Sequence, residues 1–180
     1  MPKTLQNKKI AMIIAFRDFR DEEYFIPKQI LQEAGAEIIT ASSASGTAIG
    51  SQGGEANIDI LINGLKAGDY DAVLFIGGSG ASKYINDENC HRIARESVER
   101  NKVLGAICVG PAILAKAGVL SGKKATVWSS SLDKSAVKIL EEGGAVFQSM
   151  SVVVDGKIVT ASGPIAAKIF AETITKLLFP

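Results

Sequence analysis

The chain reads as an α/β protein: a doubly wound, mostly parallel sheet lying between two layers of helices. Three observations carry that reading. Continuous apolar runs at Ile10 to Phe16, Tyr70 to Ile76 and Val103 to Ile107 suit strands covered on both faces. Each is followed by a stretch with apolar residues at helical spacing, so strands and helices alternate. Glycines punctuate the units, at Gly35, at Gly77-Gly78-Ser79-Gly80 and at Gly143-Gly144.

Taken in order, residues 1–7 form a loose tail and Ile10 to Phe16 the first strand. Arg17 to Arg20 is a charged loop. Asp21 to Ala34 is a helix, with Asp21, Glu22 and Glu23 in its first turn, where the peptide dipoles favour negative charge. Pro27 falls inside it, early enough for a kink or a late start to accommodate it. Ala36 to Ala41 is the second strand. Residues 42–69 are irregular, and a small antiparallel excursion is expected there, with Ile58 to Ile62 as strand or loop. Tyr70 to Ile76 returns to the sheet, and Asp87 to Asn101 is a helix with Ile93, Ala94 and Val98 inward. After Val103 to Ile107, a helix opens at Pro111. Ala125 to Trp128 is a short strand and Ser131 to Glu142 a helix. Val152 to Val159 is a hairpin around Asp155-Gly156. The last helix opens at Gly163-Pro164 and buries Ile165, Ile169, Phe170, Ile174, Leu177 and Leu178.

Length and composition set limits. A chain of 180 residues suits one domain, 1–180, with no internal repeat or linker. With 47% apolar residues and a formal net charge of +1, nothing in the charge favours nucleic acid. No apolar run reaches the length of a membrane span, so no membrane association and a cytoplasmic location are expected. Two cysteines and one histidine at unsuitable spacing give no disulfide framework and no metal site. No cofactor motif is present either: Gly77-Gly78-Ser79-Gly80 lacks the Gly-Lys-Ser/Thr of a phosphate loop.

The chemistry centres on Cys108. It falls on the corner between the Val103 strand and the helix at Gly110-Pro111, and Pro111 suits a first helical turn. Unpaired N–H groups at a helix start favour negative charge, so a thiol there is expected to titrate below a free one. The other reading is a small buried hydrophobe, which cysteines commonly are. Spacing alone does not choose between them. In open sheets of this kind, ligands bind beyond the carboxyl ends of the strands. The loops leaving three such ends carry Glu23, Gly77-Gly78 and Cys108. If those strands are neighbours, a carboxyl, exposed N–H groups and a thiol converge. A carboxyl buried beside a thiol would have a raised pKa and could donate to the thiolate. The N–H groups of Gly78 and Val109 would then suit an oxyanion.

Ala106-Ile107-Cys108-Val109-Gly110-Pro111, preceded by Gly77-Gly78 and by Glu23-Tyr24-Phe25-Ile26-Pro27, resembles the ThiJ/PfpI superfamily. That group includes the parkinsonism-associated protein, its bacterial relatives and archaeal intracellular proteases, on a class I glutamine amidotransferase-like fold. The resemblance runs from about Lys8 to Leu178 and takes in Val152 to Pro164. It implies a flavodoxin-like three-layer sandwich and a cysteine on the elbow, here Cys108. It also implies a glutamic acid whose proton contacts that sulfur, here Glu23, with Gly78 and Val109 as backbone oxyanion donors. Gly77 and Trp128 join them as pocket residues.

The departures matter as well. Protease-like members place histidine after the cysteine, where this chain has Val109, which disfavours peptidase activity. Members acting on small 2-oxoaldehydes rely on a histidine near the cysteine, and the corresponding place here holds Trp128. An indole cannot relay protons at neutral pH. Trp128 either roofs the pocket or belongs to the core. His91 reads as a partly solvated boundary residue and Cys90 as structural.

Two functions follow as expectations. One is a cysteine-dependent enzyme, glyoxalase- or deglycase-like, in which Cys108 adds to a small electrophilic carbonyl compound with help from Glu23. The other is a redox-sensing stress protein whose Cys108 is oxidised to the sulfinate. The resemblance further implies a homodimer or larger homo-oligomer.

Overall fold

The computed structural model describes residues 4–179. Along the chain, β1 (Lys9–Ile13) is followed by a short β2 (Arg17–Phe19), α1 (Asp21–Glu33) and β3 (Glu37–Ser42). β4 (Thr47–Gly50), β5 (Glu55–Asn57) and β6 (Ile60–Leu61) fill the irregular stretch before β7 (Ala72–Phe75). Next come α2 (Glu88–Glu99), β8 (Val103–Ile107), α3 (Gly110–Lys116) and β9 (Lys124–Ala125). α4 (Ser135–Glu142), β10 (Val146–Phe147), β11 (Val152–Asp155), β12 (Ile158–Ala161) and α5 (Ala167–Leu178) complete the described elements.

Seven strands form the main sheet in the order β11-β12-β8-β7-β1-β3-β6. All its neighbours are parallel except β11 and β12. Every residue of β7 and β8 is buried, as is all of β1 but Lys9, which is why those runs carry no alternation. From β1 to β3 the chain steps one way across the sheet; from β7 to β8 and on to β12 it steps the other. Right-handed crossovers therefore put α1 on one face and α2 and α3 on the opposite face. α5 packs beside α1, and α4 beside α3, which completes a flavodoxin-like sandwich. Between β1 and β7 the winding reverses, and a crevice opens at their carboxyl ends.

Several local expectations change. All of the charged loop but Arg20 is β2, paired in parallel with β4, and β4 pairs antiparallel with β5, so the excursion is a separate three-stranded sheet. Ile60–Leu61 is an edge strand of the main sheet beside β3. Pro27 neither ends nor delays α1, which runs from Asp21 through it. Its missing N–H simply leaves the Glu23 carbonyl without an i+4 donor. The strand at 125–128 shortens to Lys124–Ala125, and α4 starts at Ser135. In the hairpin, Asp155 pairs with Ile158, so the two-residue loop is Gly156-Lys157, with Gly156 at φ 60°.

Three residues expected inside are not. Ile165 is wholly exposed, because residues Pro164–Ala166 form a 3-10 turn and α5 begins only at Ala167. The buried stripe of α5 is then Phe170, Ala171, Ile174 and Leu178, which leaves Ile169 half exposed. On α2 the inward stripe is Cys90, Ile93, Ala94 and Ser97, which turns Val98 outward. Residues 1–3 of the expected tail lie outside the described residues. Leu5, further along it, is fully buried and its N–H donates to the Ala34 carbonyl at 2.8 Å.

Candidate active site

β8 delivers the chain to Cys108, whose φ is 64°. A side-chain-bearing residue in that left-handed region costs about 1–2 kcal/mol, so something must hold it. Two backbone bonds do. The Cys108 N–H donates to the Ala161 carbonyl at the end of β12, and its carbonyl accepts the Trp128 N–H, both at 2.9 Å. Val109 caps α3 and Pro111 sits in the first turn. A Cβ on Gly110 would lie 2.8 Å from the Phe75 carbonyl, so the close approach of α3 to β7 requires glycine there.

Glu23 comes from the first turn of α1 and is wholly buried. Its Oε2 accepts the Gly77 N–H at 2.9 Å. Its Oε1 has no hydrogen-bond partner among the described residues, although the Cys108 thiol is near enough to act on its ionisation. Gly77 is the hinge between acid and thiol. A Cβ there would stand 2.5 Å from Glu23 Oε2 and 2.6 Å from Cys108 Cβ. Gly78, at φ 111°, lies against the backbone of Asp18 and Arg20, again with no room for a side chain. The N–H groups of Gly78 and Val109 both lie near enough to the Cys108 sulfur to favour its ionised form.

The ionisation of the pair runs against the expectation from helix position. Burial pushes the Glu23 carboxyl up to about 7; the thiol, the Gly77 N–H and Arg20 oppose this without overcoming it. Burial also pushes the Cys108 thiol up to about 12, reinforced by the charge and hydrogen bonding of an ionised Glu23. The Gly78 and Val109 N–H groups pull the thiol down, as a helix start should, but less strongly. Both contributions of Glu23 to the thiol belong to its ionised form.

The thiol and the acid open into a cleft of about 570 Å³, within the range of roughly 300–1,000 Å³ usual for small-molecule sites. Gly78, Val109 and Trp128 line it, with Gly77 buried behind. Trp128 is half-buried and forms a wall of the cleft. Arg20, Ser51, Ser79, Ser82 and Pro164 also line it, and no sequence pattern singles them out. Ser79 and Pro164 do adjoin glycines that mark turns. Arg20 is held by Glu22, with Nε 2.8 Å from Oε2. His91 is elsewhere: buried on α2, with Nε2 2.7 Å from the Ile85 carbonyl. Burial replaces the partly solvated position expected for it. No histidine lines the cleft among the described residues. Nor do the described residues hold a group of three His, Cys, Asp or Glu arranged for a metal ion, or a helix long and apolar enough to cross a membrane.

Fold and site together define a flavodoxin-like protein with a cysteine on the strand-to-helix elbow, opposite a buried glutamic acid. The DJ-1/PfpI family model matches residues 8–177, and the chain belongs to that family. It is 34% identical to an uncharacterized protein of Methanocaldococcus jannaschii over 98% of this chain and 85% of that protein. It is 31% identical to protein/nucleic acid deglycase 2 of Escherichia coli, covering 96% of this chain and 98% of that one. Among solved structures, a ThiJ/PfpI domain protein from Brachyspira murdochii superposes with a TM-score of 0.89 at 35% identity, over 94% of this chain and 95% of that one.

Proposed function

We propose that the protein is a cysteine-dependent enzyme that adds Cys108 to the carbonyl carbon of small 2-oxoaldehydes or of the adducts they form. The observation that carries this is the elbow itself: a left-handed Cys108 with two N–H groups on its sulfur and a buried acid at its side. Deglycase names among the relatives support the substrate class.

The resting pair releases its first proton at about pH 7, and hydrogen bonding decides where the charge then sits. The sulfur faces two N–H groups, and the carboxyl only that of Gly77. An ionised carboxyl would accept from the Cys108 thiol and leave the sulfur neutral, whereas a protonated Oε1 donates to the sulfur and leaves it ionised and nucleophilic. The thiolate–carboxylic acid form is therefore the reactive one. Attack forms the S–C bond, the carbonyl electron pair moves to oxygen, and that oxygen, held by Gly78 and Val109, takes the Glu23 proton. Glu23 is left as a carboxylate with a pKa near neutrality, which suits a general base. It takes the aldehyde-derived C–H proton and returns it to the neighbouring carbon. The resulting thioester is hydrolysed by water to the 2-hydroxy acid, and Cys108 is regenerated. In this scheme Glu23 does what a histidine would otherwise do. Peptide hydrolysis is disfavoured, since Val109 follows the cysteine.

The test is methylglyoxal turnover by the wild type and by Cys108→Ala, together with the pH profile of Cys108 alkylation in Glu23→Leu. Turnover is expected to vanish in the first. In the second, alkylation should shift to higher pH, because the donor to the thiolate is lost. Turnover that survives Cys108→Ala refutes the scheme.

The lack of a histidine on the cleft favours one second reading, a redox sensor in which peroxide oxidises Cys108 to the sulfinate and Glu23 donates to it. Mass spectrometry after mild peroxide then shows two added oxygens on Cys108 and none on Cys90, without carbonyl turnover.

A further inference from the structure

Behind the Ser79–Tyr84 turn, on the side away from Cys108, lies a second cavity of about 230 Å³. It sits at the carboxyl ends of β1 and β3, and its floor and walls are Ala15, Phe16, Ala44 and Tyr84. The turn presses so closely on the Arg17 carbonyl that position 80 accepts only glycine. The Tyr84 hydroxyl is fully engaged, donating to the Ile14 carbonyl at 3.0 Å and accepting the Ser43 N–H at 3.1 Å.

Every free polar side chain on this cavity can donate. Arg17 and Lys83 line it, and neither makes a salt bridge or side-chain hydrogen bond among the described residues. The Arg17 guanidinium lies 5.3 Å from the centre of the Phe16 ring, which holds it over the apolar wall. Ser43 adds a hydroxyl, and no carboxylate lines the cavity; Asp18, next in sequence to Arg17, pairs with neither cation. The basic cavity at the other end of the sheet is different. There Asp71 sits among Lys8, Arg100, Lys102 and Lys157, Lys8 lies 3.6 Å from Asp71, and Lys157 donates to the Asn101 carbonyl at 2.9 Å.

We propose that the cavity of Arg17 and Lys83 binds a small phosphate dianion, as orthophosphate or as the phosphate of a short ester. Two unpaired cations match a group carrying nearly two charges at neutral pH. The guanidinium fork takes two phosphate oxygens and the ammonium a third. The volume falls below the roughly 300–1,000 Å³ of larger ligand sites, so the organic part is short and rests on Phe16. Nothing here depends on Cys108.

Calorimetric titration of the full chain with orthophosphate and with glycerol 3-phosphate, at constant ionic strength, tests it. Saturable binding is expected, weakened about tenfold or more by either Arg17→Ala or Lys83→Ala. Binding should be unchanged in Lys102→Ala, at the other basic cavity, and in Cys108→Ala. Tighter binding of the ester identifies an organic phosphate, and equal binding identifies the free ion. Circular dichroism confirms that the variants are folded. Binding weaker than about 1 mM for both probes overturns the proposal. So does binding that is lost in Lys102→Ala or Cys108→Ala, or kept in both Arg17→Ala and Lys83→Ala.

Discussion

Cys90 and Cys108 both sit where a helix begins, yet their surroundings differ in almost every other respect. Cys90 lies in the first turn of α2, a helix of 12 residues, and is fully buried. Its N–H donates to the capping Asp87 carboxylate at 2.9 Å. Burial, then the Asp87 charge and hydrogen bond, push its thiol far above the ordinary range. Cys108 precedes a helix of only 7 residues, yet it is half-buried beside a cleft. Helix position alone thus activates neither thiol. What sets Cys108 apart is a left-handed backbone that turns the sulfur toward two free N–H groups, and a neighbouring acid that holds its own proton near neutrality. Cys90 faces a carboxylate already committed to its cap.

The widest gap between the two should be catalytic. Cys108→Ala is expected to lower thiol-dependent turnover by more than about a thousandfold, and Cys90→Ala to leave it within about threefold. A large loss in a folded Cys90→Ala would break the contrast.

The acid beside Cys108 should also be visible in stability. Folding raises the Glu23 pKa from 4.5 to about 7, so the native state holds a proton that the unfolded chain has released across that window. Stability is fully present below about pH 4.5 and is lost as pH rises through about 7, by roughly 3 kcal/mol. Urea titrations at pH 5 and pH 8 measure it, and Glu23→Gln should flatten the difference. An equally steep decline in Glu23→Gln would place the effect elsewhere.

The backbone donors give the next test. Gly78→Ala puts a Cβ 2.5 Å from the Asp18 carbonyl at φ 111°, which should cost about 1–3 kcal/mol and displace one N–H from the sulfur. The alkylation profile of Cys108 should then move to higher pH even where the protein stays folded. An unmoved profile would mean that this N–H does not act on the sulfur.

Much of this site is legible in the amino-acid sequence, and the reason is local. A fully apolar run followed by Cys108 and Gly110-Pro111 encodes strand, corner and helix within a few residues, and Glu23 lies in an acidic first turn. The doubly wound, mostly parallel sheet is legible too, because alternating apolar runs and amphipathic stretches repeat along the chain. The direction of the thiol's ionisation is not legible. It is set by burial and by an acid brought from a distant part of the chain, and neither leaves a trace around Cys108. Arg20 and Ser51 escape notice for a related reason: β2 pairs with β4 in a stretch without strong periodicity, and that pairing carries both to the cleft. The exposed Ile165 shows the converse, an apolar residue whose place in a 3-10 turn overrides its hydropathy.

The smallest effect isolates burial as the cause of Cys90's inertness. Asp87→Ala removes the cap of α2 and should cost about 1 kcal/mol. It also removes the second and third causes of the raised Cys90 thiol, the charge and the hydrogen bond of Asp87. The thiol should therefore titrate lower than before. Desolvation, the largest cause, is untouched, so Cys90 should still resist iodoacetamide in the folded protein while Cys108 reacts. Peptide mapping after brief labelling reads both residues in one sample, and urea calibrates the unfolded rate. If native Asp87→Ala labelled Cys90 as fast as Cys108, the carboxylate and not the apolar surroundings would be what silences it. The contrast between the two cysteines would then rest on their acidic neighbours alone.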